Sequence, residues 1–152
     1  GFESLVGKPN VYFAGDVTKQ VMLAHVASRQ AQAAVRQMCG EQDQVNYHVV
    51  PSVVYTNPEI AVVGVMEGEI RVLPMAYAGR FVVENERENG LCKMAVDPAT
   101  KRIKGFAMIG NPCSEIISAA TVAITASMTT DRLQQVIFPH PTVSEIIKEC
   151  TW

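Results

Sequence analysis

The sequence is organised around one stretch near its C-terminal end, Phe138-Pro139-His140-Pro141-Thr142-Val143-Ser144-Glu145. Each proline fixes its own φ angle and favours an extended conformation in the residue before it, so the backbone around His140 is predicted to be rigid. A histidine can exchange a proton near neutral pH, and a neighbouring carboxylate can orient the ring and stabilise its charged form. The stretch therefore contains a candidate acid–base pair, His140 and Glu145.

The same residues also fit a purely structural interpretation. Thr142 followed three residues later by Glu145 is a capping box, with Thr142 as the N-cap of a helix over residues 143–149. The two roles compete, because one carboxylate would have to accept hydrogen bonds from both the Thr142 N–H and the imidazole. Spacing does not decide between them. We expect Glu145 to bind the imidazole, with Ser144 or water completing the cap.

The composition is that of a globular protein and argues against several classes of partner. Of the 152 residues, 48% are hydrophobic and 18% are charged, with a formal net charge of −2. No basic patch or basic–aromatic interleaving occurs, which argues against nucleic acid as a partner. No apolar run approaches the ~20 residues of a membrane helix, and no signal peptide is recognised. We therefore expect neither membrane insertion nor export.

The four cysteines are scattered along the chain at positions 39, 92, 113 and 150. None lies in a CxxC or metal-ligand spacing, so we expect neither a metal site nor a local redox pair. The thiols are predicted to be reduced and mainly structural, and the location cytoplasmic. Cys113 stands at a predicted helix start, where a thiol pKa can be lowered, but without a partner cysteine we expect it to be inert.

Two segments are predicted to form long helices. Residues 22–39 are rich in alanine and free of glycine and proline, and Gly40 follows as a stop signal. The second helix starts at Pro112-Cys113 and runs to about Ser127. A shorter helix, capped by Thr130 or Asp131, is predicted to run to Val136. The packed face of the first helix comprises Leu23, Val26, Gln30, Ala33, Ala34 and Met38.

Most of the remaining chain carries β-type patterns. The predicted β segments cover residues 11–14, 52–56, 60–63, 70–76, a short run from Gly79 to Phe81, 91–96 and 103–110. The last two are predicted to form an antiparallel hairpin through the Asp97-Pro98 turn, and residues 84–90 to form a surface loop. The first run stops at Gly15-Asp16, which would place the Asp16 carboxylate at a strand end, although a plain turn explains this pair equally simply.

Four segments together resemble the flavin-dependent pyridine nucleotide-disulfide reductases. They are Tyr-Phe-Ala-Gly-Asp-Val (12–17), Met-Leu-Ala-His (22–25), Pro-Ser-Val-Val-Tyr-Thr-Asn-Pro-Glu-Ile-Ala-Val-Val-Gly (51–64) and Phe-Pro-His-Pro-Thr-Val-Ser-Glu (138–145). Nearly the whole chain resembles the last third of these enzymes, most closely the members that act on dihydrolipoamide. The resemblance implies an α+β fold: an antiparallel sheet flanked by helices, preceded by a helix from the end of the FAD domain. Residues 1–45 would end the FAD-binding domain and 46–152 would be the dimerisation domain.

The resemblance also implies a site. In such enzymes the residue matching Asp16 binds a ribityl hydroxyl of FAD, and those matching Met22, Leu23, Ala24 and His25 lie beside the isoalloxazine ring. His140 would act as a base on a thiol, held by Glu145 and presented to the other subunit of a homodimer, with NAD as the second cofactor.

One feature of the chain departs from the family that it resembles. Its members place a short helix after the residue matching Gly64, whereas residues 65–69 leave no room for one of ordinary length. The chain also has neither a GxGxxG fingerprint nor the redox cysteine pair, so by itself it is expected to be inactive and to need the missing FAD- and NAD-binding domains. Alternatives are another member such as glutathione reductase, or a non-catalytic dimerisation module.

Overall fold

The computed structural model describes residues 11–85 and 89–152. These residues form two compact units, one ending at Tyr47 and the other running from His48 to Trp152. The first contains one long helix and the second an antiparallel sheet with helices, so the predicted fold class is confirmed. None of the helices in the described part of the chain is long and apolar enough to cross a membrane.

The long helix of the first unit, α1, spans Ala24–Met38. The prediction started it at Met22, two residues too early: Leu23 has extended dihedral angles (φ −133°, ψ 138°) and occupies the N-cap position. Gly40 follows the helix with a φ of +82°, a conformation that glycine adopts without steric cost, and so ends it as predicted. The buried face consists of Val26, Gln30, Ala33 and Ala34.

The predicted strand over residues 11–14 is wrong. Within this segment only Tyr12 makes a single β-bridge. A strand needs a hydrogen-bonded neighbour along its length, and no strand is formed by the described residues of the first unit. The chain instead turns at Gly15 (φ +84°) into a short 3₁₀ helix, Asp16–Thr18.

The described residues of the second unit form five strands and four α-helices, besides short 3₁₀ turns. The strands are β1 (Ser52–Val54), β2 (Ile60–Gly64), β3 (Glu69–Pro74), β4 (Leu91–Val96) and β5 (Ile103–Ile109). The helices are α2 (Gly79–Glu84), α3 (Cys113–Thr125), α4 (Thr130–Gln134) and α5 (Glu145–Glu149). All neighbouring strands are antiparallel, in the order β1-β2-β5-β4-β3, and the predicted β4–β5 hairpin is confirmed.

Two local predictions in this unit need correction. The run beginning at Gly79 is helical rather than extended, because Phe81 and Asn85, four positions apart, are buried while Val83 between them is 74% exposed. Burial four residues apart is the helical period. The N-cap of α4 is Thr129, not Thr130 or Asp131, and its hydroxyl accepts a hydrogen bond from the Arg132 N–H at 3.3 Å. The predicted loop over 84–90 falls partly on 86–88, outside the described residues.

The short connection after Gly64 crosses one end of the sheet without a helix. Gly64 pairs with Gly105, Gly105 with Ala95 and Ala95 with Ile70, so Gly64 and Ile70 stand three strand spacings apart, about 14 Å. Six extended residue steps reach about 20 Å, so the available chain suffices. The crossing is tight: a Cβ on Gly105 would lie 2.7 Å from the Val65 carbonyl oxygen.

The two faces of the sheet differ. One is covered by α3 and α5 and forms the core, in which Met94, Phe106 and Ile146 are fully buried. The opposite face carries aliphatic side chains that are 37–52% exposed: Ile60, Val62, Ile70, Val72 and Ile109. The buried residues of α5 therefore anchor the C-terminal stretch that contains His140 and Glu145.

Candidate functional site

The turn around His140 lies between α4 and α5 and is closed by hydrogen bonds of its own. The Thr142 hydroxyl donates to the Pro139 carbonyl oxygen at 2.8 Å and lies 2.9 Å from the Ser144 hydroxyl. The His140–Pro141 peptide bond is cis. The backbone on both sides of His140 is thus tied together, consistent with the rigidity predicted from the prolines.

Glu145 holds both of its candidate partners at once. Its Oε1 lies 2.9 Å from Nδ1 of His140, and its Oε2 accepts the Thr142 N–H at 2.8 Å. The expected competition between imidazole and helix cap is therefore wrong: each carboxylate oxygen has lone pairs of its own, so one group serves each partner with a different oxygen. Neither Ser144 nor water is needed to receive the Thr142 N–H.

The helix after this turn starts later than predicted. It begins at Glu145 rather than Val143, with Ser144 at the N-cap position and without a side-chain cap. The Thr142 hydroxyl is engaged with Pro139, so only the glutamate half of the capping box forms. The predicted box therefore serves to fix the turn more than to cap a helix.

The electrostatics of the pair follow from these contacts. The Thr142 N–H, and after it the His140 ring, hold the pKa of Glu145 below its usual range, so this carboxyl is ionised at neutral pH. An ionised carboxylate can only accept, so the Nδ1 of His140 must be the donor. In the neutral ring the other nitrogen, Nε2, then carries the lone pair.

The His140 ring is presented to solvent while its partner is sheltered. The side chain of His140 is 78% exposed and that of Glu145 is 19% exposed. The support beneath them is rigid, since Val143, Ile146 and Ile147 are at most 5% exposed. This arrangement can take up a proton at an exposed, oriented Nε2 and stabilise the resulting cation through Glu145.

The second group of candidate residues lies in the first unit. Asp16 is exposed at the start of the 3₁₀ helix, directly after Gly15. Met22 is 69% exposed and precedes α1, Leu23 is its N-cap, and Ala24 and His25 are its first two residues. The first turn of α1 contains no acidic side chain, so its main-chain N–H groups favour negative charge nearby.

Gln30 organises this group, a role that the sequence analysis missed. It is fully buried, and its Oε1 accepts the Gly15 N–H at 2.6 Å. Its Nε2 donates to the Thr18 hydroxyl at 3.2 Å and to the Tyr47 hydroxyl at 3.0 Å. Gln30 thus fixes the turn that carries Asp16. The available signal was an amide within the apolar face of a predicted helix, since a buried polar group needs partners.

Comparison with known proteins identifies the second unit. Residues 50–151 match the family described as "Pyridine nucleotide-disulphide oxidoreductase, dimerisation domain". Dihydrolipoyl dehydrogenase from Mycoplasma pneumoniae is 35% identical over 93% of this chain and 33% of its own length. The mitochondrial dihydrolipoyl dehydrogenase of Schizosaccharomyces pombe is 36% identical over 93% of this chain and 29% of its own length. The chain thus spans about a third of these relatives.

Solved structures agree with this result. LpdA from Mycobacterium tuberculosis has a TM-score of 0.86 and 29% identity, over 92% of this chain and 32% of that chain. The flavoprotein disulfide reductase RclA from Escherichia coli shares the fold, with a TM-score of 0.82, 23% identity, and coverage of 93% of this chain and 35% of that chain. The resemblance seen in the sequence is confirmed. The chain belongs to the pyridine nucleotide-disulphide oxidoreductases, as a dimerisation-domain portion related to the dihydrolipoyl dehydrogenases.

Proposed function

We propose that the chain is the C-terminal part of a dihydrolipoyl dehydrogenase, which oxidises dihydrolipoamide and reduces NAD+ through FAD and a redox disulfide. The observation that carries this proposal is the exposed His140 ring held at 2.9 Å by an ionised Glu145. Residues 1–45 would end the FAD-binding domain and 46–152 would form the dimerisation domain. The FAD- and NAD-binding domains would belong to the same polypeptide.

In this proposal His140 is the base and Glu145 its positioning residue. The Nε2 of His140 takes the proton of a substrate thiol, which makes the sulfur a better nucleophile. Glu145 keeps the ring in the tautomer with a free Nε2 and stabilises the imidazolium. The ring points into solvent rather than into its own core, which suits delivery to a site on a second subunit of a homodimer.

The first unit offers residues that fit one edge of FAD. The exposed Asp16 carboxylate can accept a hydrogen bond from a ribityl hydroxyl, and Gln30 holds its turn in place. Met22, Leu23, Ala24 and His25 surround the N-terminus of α1, which favours the negative charge of a reduced flavin. When bound, FAD supplies two-electron transfer between a thiol pair and NAD.

The experiment begins with the coding sequence upstream of Gly1, which should encode a flavin fingerprint and a cysteine pair. In the complete polypeptide, His140→Ala should leave the flavin absorbance unchanged and lower dihydrolipoamide-dependent NAD+ reduction by about 10²–10⁴-fold. Arg80→Ala, at an exposed ion pair of α2, is the control and should keep full turnover. Normal turnover of His140→Ala would refute the catalytic assignment.

The isolated chain separates this proposal from the alternative of a non-catalytic dimerisation module. The 152-residue chain should be colourless and inactive, because most FAD contacts lie outside it. An upstream sequence without fingerprint and cysteine pair, together with a stable colourless dimer by size exclusion, would favour the module. Reduction of glutathione disulfide, in place of oxidation of dihydrolipoamide, by the complete polypeptide would reassign the substrate. We also propose a cytoplasmic location, on the basis of four free thiols.

A further inference from the structure

Two cysteines that are distant in the sequence meet inside the second unit. Cys92 lies in β4 and is fully buried, and Cys150 follows α5 and is 2% exposed. The Cys150 thiol donates to the Cys92 carbonyl oxygen, with its Sγ 3.7 Å from that oxygen, so the two cysteines are direct neighbours. Both are free thiols in this structure. Their spacing of 58 residues gave no sign of a redox pair in the sequence.

The two thiols are not equivalent. The thiol of Cys92, followed in effect by the positive charge of Arg71, lowers the pKa of Cys150 against the effect of burial. The same contact, together with burial, raises the pKa of Cys92. The Arg71 guanidinium is bonded to Thr151, the residue after Cys150, and this positive charge favours the thiolate at Cys150. An asymmetric pair of this kind suits stepwise oxidation, in which one sulfur attacks first and the other resolves.

A surface cavity reaches the neighbourhood of this pair. Its volume is about 450 Å³, and Arg71, Gln134 and Thr151 contribute to its wall. The Arg71 guanidinium donates a hydrogen bond to the carbonyl oxygen of Thr151, the residue after Cys150, and Gln134 Nε2 donates to the same oxygen at 3.2 Å. The cavity thus brings solvent to Thr151, the residue next to Cys150, and to Arg71, whose charge lowers the pKa of the Cys150 thiol.

We propose that Cys92 and Cys150 form a reversible disulfide when the protein meets a small hydroperoxide. The Cys150 thiolate attacks the terminal oxygen of the hydroperoxide, the O–O bond breaks, and the departing hydroxide or alkoxide takes a proton to become water or an alcohol. The sulfur of Cys92 then attacks the resulting Cys150 sulfenic acid, the S–O bond breaks, and the hydroxyl group leaves as water with the proton of the Cys92 thiol. The two sulfurs lose two electrons in total, and the hydroperoxide gains them.

The Cys92–Cys150 disulfide would link strand β4 to the end of helix α5. Cys92 belongs to a central strand, whereas Cys150 ends the helix that begins with Glu145. The cross-link would join residues 58 positions apart and restrict the unfolded chain accordingly. Oxidation should therefore raise the thermal unfolding midpoint of the chain. The effect does not depend on the proposed dehydrogenase activity.

Cys113 provides the internal control. It is fully buried like the pair, but burial, with Glu59 as a further cause, raises its pKa to about 11. Its thiolate population is therefore negligible at neutral pH. Cys113 should stay reduced under conditions that oxidise Cys150.

The test uses the full 152-residue chain with Cys39→Ser, which removes the exposed thiol. After treatment with hydrogen peroxide, intact mass should fall by two hydrogens, peptide mapping should show Cys92 joined to Cys150, and dithiothreitol should reverse both changes. The unfolding midpoint should rise by several degrees on oxidation and return on reduction. A chain that keeps all three thiols, links Cys113 instead, or gains oxygen at Cys150 without a cross-link overturns the proposal.

Single variants test the order of the steps. In Cys92→Ser a hydroxyl donor remains beside Cys150 but cannot resolve its sulfenic acid, so a dimedone adduct should accumulate on Cys150. In Cys150→Ala no adduct should form on Cys92. Far-UV circular dichroism establishes that each variant is folded before treatment. An adduct on Cys92 as abundant as the one on Cys150 would overturn the assigned order, whereas the doubly substituted chain should be inert.

Discussion

Two side chains, Gln30 in the first unit and Glu145 in the second, make similar hydrogen bonds to the main chain but differ in what their networks can do. Each accepts a main-chain N–H through a side-chain oxygen, from Gly15 and from Thr142 respectively. Each also bonds to a second side chain. Gln30, however, is fully buried and uses both of its polar atoms inside the protein. Glu145 binds Nδ1 of His140 through one of its oxygens. The other ring nitrogen, Nε2, takes no part in this contact, and the His140 side chain is 78% exposed.

The difference separates a structural lock from a reactive arrangement. The network around Gln30 is neutral and satisfied internally, so it can only hold the Gly15–Thr18 turn in place. The network around Glu145 is charged and ends on a titratable ring in solvent, so it can pass a change in protonation to a neighbouring molecule. The same capping chemistry therefore produces a rigid support in one unit and a candidate base in the other.

Removing Gln30 from its hydrogen-bond network should have the largest effect. We expect Gln30→Ala to lower the free energy of unfolding of the first unit by about 1–3 kcal/mol, because the Gly15 N–H and the Tyr47 hydroxyl lose a buried partner. Chemical denaturation followed through the amide signals of α1 measures the change. Gln32→Ala, on the exposed side of the same helix, should stay within about 0.5 kcal/mol of the parent. Equal losses in both variants would contradict the role of Gln30.

Changing Glu145 should alter the tautomer of the His140 ring more than the stability of the fold. A glutamine at position 145 has one oxygen and one NH₂ group, so it no longer offers a separate acceptor oxygen to each of Thr142 and His140. In Glu145→Gln the neutral His140 ring should change from mainly the Nδ1–H form to mainly the Nε2–H form that an unconstrained histidine side chain favours. Nitrogen-15 chemical shifts of the ring report this directly. Glu149→Gln, at the other end of α5, should leave the ring unchanged, and the assignment fails if Glu145→Gln does as well.

Acid should also distinguish the two networks. Because the pKa of Glu145 is lowered in the folded protein, its stabilising effect is complete above the usual carboxyl pKa of 4.5 and is lost as pH falls through the lowered value. Exchange protection of the Thr142 amide should fall over that acidic range in the parent and show no such step in Glu145→Gln.

The Gly15 amide, bonded to an uncharged side chain, supplies the reference for that measurement. Arg29 also lowers the pKa of Asp43, so Asp43 contributes to the acid sensitivity of the protein. The parent and Glu145→Gln are therefore compared at each pH, because Asp43 contributes equally to both. A step of equal size in both proteins would assign the acid sensitivity to another group.

The smallest expected effect concerns Lys148, which links α5 to the chain before the His140 turn. Lys148 Nζ donates to the Val136 carbonyl oxygen at 3.1 Å and so links α5 to the chain before His140. Lys148→Met keeps most of the aliphatic stem and removes this exposed bond, so unfolding should change by no more than about 0.5 kcal/mol. Chemical denaturation measures it. A loss above 1 kcal/mol would mean that the turn depends on Lys148 rather than on Glu145 and the buried face of α5.

Patterns within one segment were predictable from the sequence, whereas contacts between distant segments were not. The Gly40 stop and the β4–β5 hairpin follow from patterns over a few residues, whereas for Glu145 spacing offered the His140 ring and the Thr142 N–H as alternative partners without deciding between them. The sharing of Glu145 between two partners was missed because spacing does not show which oxygen faces which donor. The strand expected over 11–14 failed because a strand requires neighbours that its own residues do not encode. Cys92 and Cys150 meet only because β4 and α5 pack together.

The tight crossing between β2 and β3 predicts a sequence feature that can be sought in related proteins. Since the Val65 backbone passes directly over Gly105, a chain with this abbreviated link must keep a residue without a side chain opposite it. A longer link that arches away is free of that requirement. Sequence surveys can therefore sort kindred proteins by link length and test whether the two traits are inherited together.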